Sequence, residues 1–141
     1  MRLTIPAVFL LGSTFGAAIA SQTSSGHVVF ADAAPLKTAP HGKASVRLLS
    51  EGAQSAFVGM LHIEPGVTIP MHRDESEEFV YLLEGGGTIS IDGVVSTVQP
   101  GDFVFMPAGS EVTFSATDAS SSKALQIFAP PQSAAKYDSW Q

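Results

Sequence analysis

His72, Asp74 and Glu78 stand within one short stretch of the segment that runs from Gly66 to Gly85. An imidazole nitrogen and two carboxylates form a donor set suited to divalent Mn, Fe, Ni, Cu or Zn. Two carboxylates would offset the charge of such an ion, although they repel each other when no cation lies between them. Glu78 is also the candidate catalytic residue, because a carboxylate beside a reacting group can move protons as a general base. The same residues support a metal-free reading, in which His72 and Glu78 hydrogen-bond each other across a pocket and Asp74 caps the turn. Both readings stand at this level.

The elements that position these groups are short strands. From Ala44 onward, apolar runs alternate with turn residues, the pattern of an all-β sandwich or barrel. The runs are Val46–Leu49, Ala56–Ile63, Glu78–Leu83, Thr88–Ile91, Val94–Val98, Phe103–Phe105, Val112–Ala116 and Ala124–Phe128. Asp92-Gly93, between two alternating runs, marks a tight hairpin that needs positive φ. Strand side chains alternate faces, so Glu78, Val80 and Leu82 share one face and Phe79 and Tyr81 the other. With Glu78 inward, Val80, Leu82, Val104, Met106, Val112 and Phe114 form an apolar pocket wall. Such a pocket suits a small, partly apolar ligand with one polar or cationic group. The outward aromatics need a cover, and a homodimer is the expected one.

The segments Gly66–Gly85 and Gly101–Val112 resemble the two signature motifs of the cupin superfamily, small jelly-roll barrels of the double-stranded β-helix type. The resemblance covers Ala56 to Phe128 and implies an all-β cupin barrel. In that family the first motif supplies two His and one Glu as metal ligands, and the second supplies a third His. His72 and Glu78 match the first His and the Glu. Asp74 stands at the second His position and Val112 at the third, where it can ligate nothing. Gly101, Pro107 and Gly109 of the second motif are retained. His62, on the run before Pro65-Gly66, is an outside candidate for the missing ligand and is expected to face outward. His27 and His41 are expected to be solvated, and Arg73 to balance the acidic turn at Glu75 and Glu77.

The flanking segments are read by composition. Met1-Arg2, the apolar stretch Leu3–Leu11 and Ala18-Ile19-Ala20 form a signal-peptide pattern over residues 1–20, with cleavage after Ala20. The apolar stretch falls short of the ~20 residues of a spanning helix. An exported protein, periplasmic or extracellular, is expected, with no membrane attachment after cleavage. Residues 21–43 read as a flexible arm, 44–130 as the barrel, and 131–141 as a tail with Tyr137 and Trp140 as packing anchors. The net charge of −6 argues against a nucleic-acid partner. The absence of cysteine rules out thiolate ligands, thiol nucleophiles and disulfides.

Two functions follow. The first is an exported binding or sensing module for a small molecule, with weak metal or none. The alternative is a metal-dependent enzyme of the dioxygenase, isomerase or lyase type, built on His72, Asp74 and Glu78.

Overall fold

The computed structural model describes residues 25–50 and 52–141. The signal peptide expected over 1–20, and the first residues of the arm, lie outside the described residues. Among the described residues, ten strands form two antiparallel sheets. They are β1 (Leu36–Thr38), β2 (Ala44–Leu48), β3 (Phe57–Ile63), β4 (Thr68–His72), β5 (Glu77–Glu84), β6 (Gly87–Ile91), β7 (Val94–Val98), β8 (Phe103–Met106), β9 (Val112–Ala116) and β10 (Ser122–Ala129). The larger sheet has the order β1-β2-β3-β10-β5-β8, the smaller β4-β9-β6-β7. Their facing sides enclose one apolar interior, the all-β jelly-roll arrangement expected from the strand pattern.

Alternation decides what points inward. On β5 Glu78 and Leu82 are buried and Tyr81 exposed; on β8 Val104 and Met106 are buried and Phe103 and Phe105 exposed. Every second residue of β10, from Ser122 to Phe128, is buried. Asp92 (φ 48°) and Gly93 (φ 84°) make the β6–β7 hairpin turn. At Gly87 a Cβ would stand 2.1 Å from the carbonyl oxygen of Ser115, so the close approach of β6 to β9 requires glycine.

Two strands escaped the sequence pattern. β4 contains Pro70, which a central strand would not tolerate, but β4 lies at the edge of the smaller sheet. β1 lies within residues 21–43, the segment read as an arm. Leu36–Thr38 pairs with Ser45–Arg47, and Arg47 Nη1 donates to the Ala34 carbonyl at 3.1 Å. Thr38 also exchanges backbone hydrogen bonds with Gln141, which joins the C-terminal residue to β1.

The tail forms a 3-10 helix, Pro131–Ser139. Tyr137 is buried with Val46 and Phe128, and Trp140 packs against that cluster. The Tyr137 and Trp140 rings meet edge-on at 4.8 Å. Ser76 and Ser133 exchange reciprocal bonds from backbone N–H to hydroxyl, at 3.0 and 3.2 Å. These fasten the C-terminal helix to the connection between β4 and β5.

Candidate functional site

Three local features assemble the site. The β4–β9 register shifts between Ile69 and His72 and places His72 opposite Val112. Asp74 lies in the β4–β5 connection, where its carbonyl accepts the Gly109 N–H at 2.7 Å. Glu78 sits on β5 between Met106 of β8 and Phe128 of β10. One ligand atom from each of His72, Asp74 and Glu78 lies within 4.8 Å of the others. His72 Nδ1 is 2.9 Å from the Pro70 carbonyl. A carbonyl only accepts, so the proton sits on Nδ1 and leaves Nε2 as the ligating atom. Nε2 is 3.5 Å from Asp74 Oδ2.

Both carboxylates have partners that the sequence did not reveal. Gln126 Nε2 donates to Glu78 Oε1 at 2.6 Å, and the Tyr137 hydroxyl donates to Gln126 Oε1 at 2.5 Å. The hydroxyl thereby fixes which end of the amide faces Glu78. Lys136 Nζ lies 2.6 Å from Asp74 Oδ1 and 2.9 Å from Oδ2, and 4.7 Å from the centre of the Phe128 ring. The expected direct bond between His72 and Glu78 gives way to the bond from Gln126, because β10 brings an amide donor to the carboxylate from the neighbouring strand.

Burial pushes the Glu78 carboxyl above the ordinary carboxylate range, opposed by the Gln126 hydrogen bond and the Lys136 charge, while Asp74 raises it further. Burial also pushes the Tyr137 hydroxyl up, with the Glu78 charge adding to the effect. Tyr137 therefore acts as a neutral donor.

Inside the barrel is a cavity of about 90 Å³. Val80, Leu82, Val104, Met106, Val112 and Phe114 all line it, as do Leu61, Ile69 and Ala124, while His72, Glu78 and Gln126 make its polar end. Asp74 is not part of the wall. At ~10–15 Å³ for each water-sized group, the cavity has room for about six to nine.

The other candidates lie elsewhere. His62 Nε2 is 3.2 Å from Glu64 Oε1, and His62 does not line the cavity. His27 and His41 are exposed. Arg73 pairs with Glu111 at 2.5 Å and donates to the Gly109 carbonyl at 2.7 Å. The turn thus directs its guanidinium toward the loop before β9.

The donor set fits a metal ion: one imidazole nitrogen and two carboxylate oxygens converge, and none is a thiolate. These residues could hold such an ion with three protein ligands and open positions. Val112, opposite His72, is apolar and offers no ligand atom, and the Gln126 oxygen is already engaged by Tyr137.

A family model described as the cupin domain matches residues 59–128. Gentisate 1,2 dioxygenase 1 of Aquipseudomonas alcaligenes is 38% identical over 60 residues, which cover 42% of this chain and 17% of that protein. Dimethylsulfoniopropionate lyase DddW of Ruegeria pomeroyi is 32% identical over 92 residues, covering 60% of each chain. The chain thus spans less than two thirds of either relative. Among solved structures, an RmlC-like cupin from Shewanella frigidimarina superposes with a TM-score of 0.67 at 18% identity, over 77% of this chain and 94% of that one. At that identity the likeness shows the fold alone.

Proposed function

This chain belongs to the cupin superfamily, and on that premise we propose that it is an exported binding or sensing module for a small, partly apolar molecule. The observation that carries the reading is the apolar cavity with a polar end formed by His72, Glu78 and Gln126. The ligand's apolar body lies against Val104, Val112 and Phe114, and its one polar group meets Glu78. Two carboxylates near that end select a neutral donor or a cation over an anion. Calorimetry with isobutanol, isobutylamine and isobutyrate tests this on chelator-treated protein. Ligands of five or six heavy atoms bind no tighter than a Kd on the order of 1 μM. The alcohol and the amine are expected to bind and the acid to fail. Ala124→Leu, which adds a branched side chain at the cavity wall, is expected to abolish binding. Equal binding of all three probes, or binding unaffected by Ala124→Leu, would refute the assignment.

A second reading, a metal-dependent enzyme, is favoured by the convergence of His72, Asp74 and Glu78 and by the names of the two enzyme relatives. The ion in question is Mn, Fe, Ni, Cu or Zn. When bound it would polarise a carbonyl or activate water. As the alternative to ligating the ion, Glu78, whose carboxyl burial raises, is placed to act as a general base at the cavity end. Gln126, held by Tyr137, orients the Glu78 carboxylate, and the apolar wall excludes water. On this reading a divalent ion at a hundred times its Kd stabilises the fold by about 2.7 kcal/mol. That gain is expected to vanish in both His72→Ala and Glu78→Ala; melts in which both variants respond like the native protein would remove these residues as ligands.

A homodimer is part of the proposal. Tyr81, Phe103 and Phe105 are exposed on the outer face of β5 and β8, and Phe79 stacks on Phe105 at 5.1 Å. Light scattering and intact mass on protein exported by its own host check the assembly and the export together. The expected species is a dimer of chains that begin at Ser21. Monomers that begin at Met1 would refute both.

A further inference from the structure

The ammonium of Lys136 already occupies both oxygens of Asp74, at 2.6 Å from Oδ1 and 2.9 Å from Oδ2. Asp74 is also one of the three groups able to hold a metal ion. An incoming dication must therefore displace the ammonium from Asp74 or bind without that carboxylate. The position of the ammonium is built into the fold. Lys136 is carried by the Pro131–Ser139 helix, which the Ser76–Ser133 pair holds against the β4–β5 connection, and its Nζ lies over the Phe128 ring. Next to it, Tyr137 is locked through Gln126 to Glu78. The backbone beneath Lys136 is thus fixed, while its side chain is a third exposed and has a route into water.

We propose that Lys136 is a tethered competitor for Asp74, and that it sets the affinity of the His72–Asp74–Glu78 cluster for divalent cations. The competition is intramolecular, so the local concentration of the ammonium is fixed and cannot be diluted. A hydrogen bond between charged partners must break before Asp74 can ligate. Removing the ammonium also removes a like charge from beside the bound ion. Both effects tighten ion binding when the charge on residue 136 is lost. The proposal rests on the cluster's taking a divalent ion.

Titration of chelator-stripped full-length protein with Co²⁺ at fixed pH and salt tests it, using calorimetry and the visible absorption of the bound ion. Lys136→Met keeps an unbranched side chain, one atom shorter, and deletes its charge, and is expected to bind Co²⁺ about tenfold to a hundredfold more tightly than the native chain. Lys136→Arg keeps the charge and is expected to stay close to native affinity. His72→Ala placed in the Lys136→Met background is expected to abolish the gain. Circular dichroism melts verify that each variant is folded. Equal or weaker Co²⁺ binding by folded Lys136→Met, with binding still lost on His72→Ala, would overturn the role of Lys136 and leave the ion site standing. A Co²⁺ response absent from the native chain and from Lys136→Met alike would remove the ion site and this proposal with it.

Discussion

Phe128→Ala is expected to lower the unfolding free energy by about 3–5 kcal/mol, the usual cost of emptying a large buried aromatic position. Phe128 is fully buried. Its ring lies 5.9 Å from that of Phe57, shares a cluster with Val46 and Tyr137, and carries the Lys136 ammonium on its face. Truncation leaves a cavity beneath the C-terminal helix and removes the surface on which that helix sits. For a domain whose total stability lies at about 5–15 kcal/mol, such a loss is a large fraction. Urea denaturation followed by circular dichroism measures it. A cost below about 1 kcal/mol would mean that the helix docks without Phe128, and that Lys136 and Tyr137 are positioned by something else.

The second large effect concerns the buried polar chain Tyr137–Gln126–Glu78. Gln126→Leu leaves a buried carboxylate and a buried hydroxyl without partners, and is expected to cost about 2–3 kcal/mol at neutral pH. The cost depends on pH. The Glu78 carboxyl is raised above its ordinary value of 4.5 in the folded protein, burial being the largest cause. The folded state therefore binds the Glu78 proton more tightly than the unfolded state does. Stability falls as pH rises from 4.5 through the raised value, and this loss is complete above it. Without Gln126 the carboxyl rises further, so the deficit of Gln126→Leu is largest at neutral pH and shrinks toward 4.5. Glu78→Gln should remove this contribution and flatten the stability profile over that window. Melts in chelator across the pH range test both statements. A Gln126→Leu deficit that does not change with pH would show that Glu78 is not the group left uncompensated.

The barrel was legible because its signals are local. Alternation placed Glu78, Val80 and Leu82 inward and Phe79 and Tyr81 outward, and Asp92-Gly93 marked its hairpin. The retained turn residues around Val112 carried the second motif even though its ligand is gone. β4 was hidden by Pro70, whose tolerance depends on an edge position that only the sheet order reveals. β1 is three residues long, and its place comes from partners on β2 rather than from its own pattern. Gln126 left a readable trace as a polar residue between Ala124 and Phe128 on the buried face of β10, where Ser122 at the strand's start is the other polar group. Lys136 left none. It reaches Asp74 across 62 positions of sequence, and the contact exists only because Tyr137 and Trp140 anchor the tail on the barrel.

The most direct measurement is a methyl-resolved NMR titration of chelator-treated protein with isobutanol, with valine, leucine and methionine methyl groups labelled. Binding inside the barrel should move the methyl signals of Val80, Leu82, Val104, Met106 and Val112 together, along one saturating curve, with the Gln126 side-chain amide following. Shifts confined to exposed methyls such as those of Val94 and Val95, with the interior signals unmoved at saturating alcohol, would contradict the assignment of the cavity as the binding site.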